Sequence, residues 1–347
     1  MQDFAFAFLS ILLEGAPFIL LGTLLSGFID VYLPPGTLDR WLPKNRYAAI
    51  FFSGALGLVL PVCECAVVPV IRRLIRKGLP VSCGLTYMLA APIVNPVTAL
   101  STFKAFTGQD PWLMLGSRLT MGYLVAVAVG LIILRLPLEK ILRKGIVVEK
   151  AKDHEHEHEH EHEHEHEHEH EHEHEHEHEH EHEHEHEHEH DHEHEHTGPS
   201  RLVLAMRSGL RDFVDVGVYF AIGVTITAMF NTQISLDSEL VTSIAGNTYA
   251  STASLMFLAF LLSLCSTSDA FIAATLQKFG YAARLAFLVF GPMMDVKLVF
   301  LYSTVLRRKF ILALALGLFV AIGALSISWE ATQATADPAP PSRTTTP

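Results

Sequence analysis

The chain has 347 residues, half of them hydrophobic, and a formal net charge of −13 at neutral pH. That charge is local, because all 22 His and 22 of the 38 acidic residues lie in an alternating His/Glu tract at 153–196. The rest carries 16 acidic and 25 basic residues, a net charge of +9. This composition excludes a uniformly acidic protein and is ordinary for an inner-membrane protein with basic cytoplasmic loops.

Eight long apolar runs follow one another along the chain. Each is close to or above the ~20 residues that a helix needs to cross ~30 Å of hydrocarbon. They lack the short alternation of barrel strands. A large soluble protein would have shorter, amphipathic runs. We therefore predict an all-α polytopic protein of the lipid bilayer, with about eight transmembrane helices and no nucleic-acid partner. The runs are 4–29, 47–71, 79–103, 112–134, 213–230, 252–276, 282–303 and 310–328.

Chemical features recur at an offset of 200 to 202 residues. Glu14 in "EGAPFILLGTLLSG" corresponds to Asp215, Cys63 in "LPVCECA" to Cys265, and Asn95 in "APIVNP" to Asp295. A chance match of apolar runs would be dominated by Leu and Val, so an internal duplication is favoured. The predicted parts are a first transmembrane half (1–136), a cytoplasmic linker with the tract (137–211), a second half (212–330) and a disordered tail (331–347).

Two topologies fit these halves. Four spans per half give parallel repeats, and the basic residues at 72–77 and 135–144 then place the linker and both termini in the cytoplasm. The basic residues at 40–46 and 307–309 would face outward in that arrangement. If the Cys-containing segments re-enter the membrane instead of spanning it, each half has an odd number of crossings and the repeats are inverted.

The motif "PVCECAVVPV" places two thiols and a carboxylate inside an apolar run. Residues i and i+2 of a helix point about 200° apart, so Cys63 and Cys65 converge on one ion only where the helix is unwound. Proline interrupts helices, and broken helices at membrane depth line cavities. The predicted breaks are at Pro61, Pro69, Pro92, Pro96 and Pro292.

Ionisable side chains within membrane spans are costly and indicate function. Glu14 and Asp215 are the predicted proton carriers. Lys297 is a natural ion-pair partner for Asp295 or Asp269. Thiolates suit Cu(I) and Zn, and the repeat makes Cys265 a third sulfur. A lone Cys in a span is more often a packing residue, so Cys83 is assigned to packing. The predicted transport site comprises Cys63, Cys65, Cys265, Glu64, Asn95, Asp269 and Asp295.

The tract is low-complexity sequence that cannot bury a core. Imidazole suits Zn, Ni and Cu(II), and protonation of His weakens metal binding below about pH 6. We expect the tract to concentrate metal at a cytoplasmic entrance; the alternative is a solvated linker without a role. Its predicted metal-binding residues include His154, His156, His158, His192, His194 and His196.

The chain resembles the bacterial predicted-permease family that includes the trivalent organoarsenical efflux permease. The resemblance is carried by "EGAPFILLGTLLSGF", "PVCECAVVPVIRRLIRKGLP", "LAAPIVNPVTALSTF", "CSTSDAFIAA" and "GPMMDVK". It is most similar to the copper/zinc efflux branch, whose members carry a His-rich stretch between the halves. The resemblance implies an inner-membrane efflux permease of two similar halves, in which Cys63, Cys65, Asn95, Pro96 and the segment 265–269 belong to the family motifs.

Several functions remain open at this stage. The first is a non-enzymatic, ion-coupled exporter of Zn or Cu without a tightly bound cofactor, because no nucleotide-binding motif is present. A trivalent organoarsenical is also thiophilic and is the alternative substrate. A membrane thiol redox enzyme is disfavoured, because no helix N-terminus or basic neighbour is evident beside the thiols. A metal store without transport is a further alternative, and a homo-oligomer is compatible with each.

Overall fold

A computed structural model describes residues 2–34, 42–59, 62–143, 199–231 and 246–336. The tract, its six predicted His ligands and Pro61 lie outside the described residues. The first half contains α1 (Gln2–Tyr32), α2 (Arg46–Ala55, continued by a 3-10 turn at Leu56–Leu58), α3 (Glu64–Arg76), α4 (Val81–Ala90), α5 (Pro96–Ala105), α6 (Pro111–Ile133) and α7 (Leu138–Ile141). The second half contains α8 (Pro199–Asn231), α9 (Thr248–Leu262), α10 (Ser268–Thr275), α11 (Tyr281–Met293), α12 (Val296–Tyr302) and α13 (Arg308–Ala336).

The predicted all-α membrane architecture is confirmed. Five helical segments are long and apolar enough to cross a membrane, judged by length and composition: α1, α6, α8, α11 with α12, and α13. The last of these extends to Ala336, past the predicted start of the tail at 331. The segment "EATQATA" sustains the helix because Ala, Glu and Gln are good helix formers.

Four of the predicted spans are interrupted in the middle. Asn95 caps α5 by accepting a hydrogen bond from the Val97 N–H at 2.9 Å, and Asp295 caps α12 by accepting one from the Leu298 N–H at 2.6 Å. Such caps satisfy backbone donors that have no partner within the helix. Pro92, Pro96 and Pro292 lie at or next to these interruptions.

Pro69 does not mark a break, and the prediction for it was wrong. It lies inside α3, which runs unbroken from Glu64 to Arg76. A proline removes only one hydrogen bond, the one to the carbonyl four residues earlier. The neighbouring turns keep theirs, so the interruption in this run falls before Cys63 instead.

Helices α2 and α3 form a re-entrant hairpin. Gly84, near the start of α4, lies against Ile75, near the end of α3, so α3 and α4 are antiparallel. Arg46 and Val81, at the starts of α2 and α4, line one pocket. The inner end of α2 lies against the inner end of α4, because Gly57 contacts Val94. The chain thus enters along α2 and returns along α3 to the same end.

The segment α4–α5 crosses the molecule despite its break. Thr86 lies against Gly130, Ile93 against Gly122, and the Thr102 hydroxyl accepts a hydrogen bond from Arg118. The order of these contacts shows that α6 runs antiparallel to α4 and then α5. We call the end that holds Arg73, Lys77 and Arg143 the basic end, and the end that holds Gln109 the far end.

The second half repeats this plan from the other side. The Gln109 amide donates to the Ala274 carbonyl at 3.1 Å, which places the end of α10 at the far end. Helix α9 packs along α11, whose first residue, Tyr281, donates its hydroxyl to Ser117 at 2.7 Å near the same end. The hairpin α9–α10 therefore enters from the far end. Arg143 donates to the Ser303 carbonyl at 3.3 Å, so α12 ends at the basic end.

Among the described residues, each half consequently has three segments that run from one end of the molecule to the other and one hairpin, and the hairpins enter from opposite ends. This is the inverted-repeat topology, and it removes the conflict with the positive-inside rule. Arg46 lines a pocket at the basic end with Val81, and Arg307 and Arg308 line another there with Arg143. The expectation that both termini share the side of the linker was wrong. Asp30, near the end of α1, lies beside Arg73, so α1 starts at the far end, where α13 finishes.

Candidate transport site

The starts of four half-helices converge in the middle of the molecule. They are α3 and α5 of the first half and α10 and α12 of the second. Ser266, just before α10, donates to Glu64 Oε2 at 3.3 Å and receives a hydrogen bond from Thr98 at 3.4 Å. Helix N-termini carry partial positive charge, so the centre of the molecule favours carboxylates, thiolates and other anionic ligands.

A small cavity of about 30 Å³ lies at this centre. A cavity of this size holds about one water-sized species. Apolar side chains of α1 and α8 complete its wall. Its functional lining consists of Cys63, Cys65, Cys265, Glu64, Glu14 and Lys297. Cys63 and Cys65 of the first half therefore share one cavity with the distant Cys265 of the second half.

A buried triad of charges adjoins the cavity. The Lys297 ammonium lies 3.7 Å from Glu64 Oε1 and 3.6 Å from Asp295 Oδ2. All three side chains are buried. Asp295 Oδ2 has no hydrogen-bond partner among the described residues. The predicted pairing of Lys297 with Asp295 is present, and the alternative pairing with Asp269 is not.

Asp269 pairs with Arg118, a residue that the sequence analysis did not select. One guanidinium nitrogen lies 2.9 and 3.0 Å from the two carboxylate oxygens and 3.0 Å from the Ser266 carbonyl. The Arg118 side chain is fully buried. A charge inside the run 112–134 was the available signal, since intramembrane charges indicate function or a buried partner.

Of the remaining residues that the sequence singled out, one lines the cavity and three lie outside its lining. Glu14 lines the cavity and accepts a hydrogen bond from Ser268 at 3.1 Å. Asn95 is buried at the break before α5, where it caps that helix, and it does not line the cavity. Asp215 is exposed on α8. Cys83 is buried in α4 and lies outside the cavity lining.

An ion-pair network links three helices near the basic end. Arg73 contacts Asp212 through two nitrogens at 2.9 and 3.0 Å and Asp30 at 3.0 Å. It also donates to Ser208 at 3.0 Å. These contacts join α1, α3 and α8 between the cavity and the basic end. The repeat drew attention to Asp215, but the buried carboxylate is Asp212, one turn earlier.

The matching family model, described as a predicted permease, covers residues 1–328. The chain belongs to this permease family. It is 32% identical to the "Putative two-component membrane permease complex subunit" of Streptococcus mutans, over 88% of this chain and 87% of the relative. It is 32% identical to the UPF0718 protein YcgR of Bacillus subtilis, over 88% and 90% of the two chains. No solved structure matches.

The centre of the permease is arranged for ion pairs in this conformation. Among the described residues, no group of three or more His, Cys, Asp or Glu side chains is placed to hold a metal ion. Lys297 instead supplies the positive charge next to the thiols. The permease would therefore have to rearrange side chains before several sulfurs met on one ion.

One premise of the sequence analysis was wrong. Cys63 occupies the N-cap position of α3 without making a capping side-chain hydrogen bond, and Lys297 lines the same cavity as the thiols. A helix N-terminus and a basic residue therefore do lie beside the thiols, and the sequence had suggested neither. Their expected absence no longer counts against a thiol redox enzyme, whereas the family and the relatives are described as permeases.

Proposed function

We propose that this permease exports a thiophilic transition-metal ion, Zn or Cu, from the cytoplasm across the inner membrane. The observation that carries the proposal is the shared cavity of Cys63, Cys65, Cys265 and Glu64. Sulfur ligands select Cu(I) and Zn over harder cations. Inverted repeats with a site at their broken helices are a common design of secondary transporters.

The His/Glu tract favours metal over a trivalent organoarsenical, because imidazole suits Zn and Cu. An arsenical would bind the thiols and have no use for the tract.

The orientation follows from the basic clusters. Arg73, Arg143 and the cluster 307–309 share one end, so we assign that end to the cytoplasm. The tract follows α7 and precedes α8 in the sequence. Both helices lie at this end: Ile141 of α7 accepts a hydrogen bond from the Arg307 N–H at 3.0 Å, and Gly27 of α1 contacts Ala205 of α8. The tract then faces the cytoplasm, where it would supply metal to the entrance.

Energy for export would come from ion coupling, since the sequence has no nucleotide-binding motif. Carboxylates at the centre are the natural coupling groups, because a protonated site and a metal-bound site exclude each other. Glu14 and Glu64 line the cavity and are the candidates. The name of the Streptococcus relative supports a second subunit as an additional partner.

Replacement of both Cys63 and Cys65 by Ser is expected to abolish metal export. Two of the three sulfurs of the cavity would be lost, and the hydroxyls of Ser are poor ligands for soft ions. Cells without their own exporters would be loaded with Zn or with Cu, and total metal would be followed over time. Cys83→Ser is the matched control, because Cys83 is buried outside the cavity, and it should export normally.

Each further result has a defined meaning. If the intact permease lowers neither metal, the Zn/Cu proposal is wrong, and the assay would be repeated with trivalent organoarsenicals. If the intact and double-Ser permeases export equally well, the cavity is not the route of the ion. Conversion of Cys63 and Cys65 to a disulfide during turnover, without loss of metal, would support a thiol redox enzyme.

Deletion of residues 154–196 is expected to leave maximal export intact and to reduce export at low cytoplasmic metal. The tract can raise the local metal concentration, whereas the thiols and carboxylates that line the cavity belong to other parts of the chain. Export would be measured at limiting and saturating Zn in the intact and deleted chains. Loss of export at saturating Zn would instead indicate that the tract itself forms the functional metal site.

A further inference from the structure

The turn before α5 and the corresponding turn before α12 differ in charge. The first half reads Asn95-Pro96-Val97, and the second reads Asp295-Val296-Lys297 at the corresponding positions. Asn95 and Asp295 perform the same structural task, since each caps the helix that follows it. The neutral version of this turn therefore closes a helix start as well as the charged version does.

The charged pair needs an explanation other than stability. Transfer of an ion pair from water to a buried site is unfavourable, and its replacement by apolar side chains is often neutral or stabilising. Lys297 and Asp295 are both buried. Their ionic interaction is also incomplete, because Asp295 Oδ2 lies 3.6 Å from the ammonium and accepts no hydrogen bond from the described residues.

The position of Lys297 next to the cavity explains why the charged pair is present. The Lys297 ammonium reaches across from the second half to Glu64 of the first, at 3.7 Å. Glu64 is flanked in sequence by Cys63 and Cys65, and all three line the cavity with Lys297. With both carboxylates ionised, Glu64, Asp295 and Lys297 carry a net charge of −1. A cation that enters the cavity meets an ammonium group already next to its carboxylate ligand.

We propose that Lys297 is a tethered competitor of the transported cation. In the ion-free state its ammonium neutralises Glu64. An arriving metal ion displaces the ammonium toward Asp295, whose free oxygen accepts it. When the ammonium returns to Glu64, it assists release of the metal. This inference rests on the proposed function. It adds that the second half alone supplies a cationic side chain, Lys297, which neutralises Glu64 when no metal ion is bound.

The test is a charge-matched pair of substitutions. Asp295→Asn with Lys297→Val converts the second-half turn to the residue types of the first half and leaves the net charge of the triad at −1. Asn retains the cap, as Asn95 does. Transport of Zn and of Cu(I) would be measured on the full-length permease in proteoliposomes, giving KM and kcat. Asp295→Asn alone is the companion variant, and Lys297→Arg preserves the charge.

We expect the double variant to lower KM and kcat together, each by at least about tenfold, the factor that 1.4 kcal/mol represents. The competitor is absent, so the ion binds more tightly and leaves more slowly. Asp295→Asn alone should raise KM, because the ammonium then has Glu64 as its only carboxylate. Lys297→Arg retains the positive charge in a larger, planar group, so its KM should lie between those of the intact permease and the double variant. A variant that folds but does not transport would be loaded with radioactive zinc, and the rate at which a chelator removes the bound zinc would be measured. That release rate should fall by a similar factor.

The outcomes separate the two proposals. If the intact permease transports Zn or Cu and the double variant matches it in KM, kcat and zinc release, Lys297 only neutralises charge and the inference is wrong. The proposed function would survive that result. If the intact permease transports neither metal, both proposals fail. Transport of an uncharged arsenical alone also overturns the inference, because such a substrate does not compete with an ammonium group.

Discussion

Arg118→Met is expected to destabilise the permease by about 3–5 kcal/mol, the cost of removing one partner from a buried ion pair. Asp269 is nine-tenths or more buried, and Arg118 is its salt-bridge partner among the described residues. The Ser266 carbonyl would also lose its donor at 3.0 Å. The effect would be measured by heating the purified permease in detergent and recording, at each temperature, how much of the monodisperse size-exclusion peak remains.

A double substitution distinguishes an unpaired charge from lost packing. Arg118→Met with Asp269→Leu removes both charges, and buried pairs replaced by apolar residues are often neutral. We expect the double variant to recover most of the lost stability. Arg135→Met is the matched control, because Arg135 follows the same helix but is exposed. If the single and double variants unfold at one temperature, the ion pair does not explain the loss.

The sequence predicted the all-α membrane fold and most of the helix breaks. It did not predict whether each apolar run crosses the molecule or turns back. Apolar run length predicts helices, and proline with Asn95 or Asp295 predicts a break. A run of 25 apolar residues that crosses and one that turns back have the same composition, however. The turn before Cys63 is decided by packing, with Gly57 against Val94 and Gly84 against Ile75. The basic residues at 40–46 and 307–309 were the one signal of the correct topology.

The central site was predictable where reactive or charged side chains stand out in an apolar run. Cys63, Cys65 and Glu64 are conspicuous in an apolar run, and the repeat added Cys265. Arg118 was missed because partners 151 residues apart cannot be paired from one sequence. The tertiary positions of half-helix starts decide such pairs, and periodicity carries no information about them.

Arg118 and Arg73 act at different places in the permease. Arg118 ties the far-end hairpin to α6, through Asp269 and the Ser266 carbonyl. Arg73 ties the basic-end hairpin to α1 and α8, through Asp30 and Asp212. Alternating access requires contacts on one side of a central site to part while those on the other hold. The Arg73 network is the better candidate for a closed entrance, because it joins three separate helices at the basic end.

Arg73→Leu is expected to open that entrance and to raise the labelling rate of Cys63 from the basic end by at least about tenfold, equivalent to 1.4 kcal/mol of lost closure. The substitution leaves Asp30 and Asp212 without the guanidinium that holds them on neighbouring helices. A chain with Cys63 as its one cysteine would be labelled with a membrane-impermeant maleimide in inside-out vesicles and in intact spheroplasts.

The two vesicle orientations make the result directional. The Arg73 variant should accelerate labelling in inside-out vesicles, where the basic end is exposed to the reagent, and leave or lower it in spheroplasts. Arg76→Leu is the matched control, since Arg76 is one turn further along α3 and exposed, and it should label like the parent. Equal acceleration from both sides would indicate general loosening of the fold and would contradict a gate at Arg73.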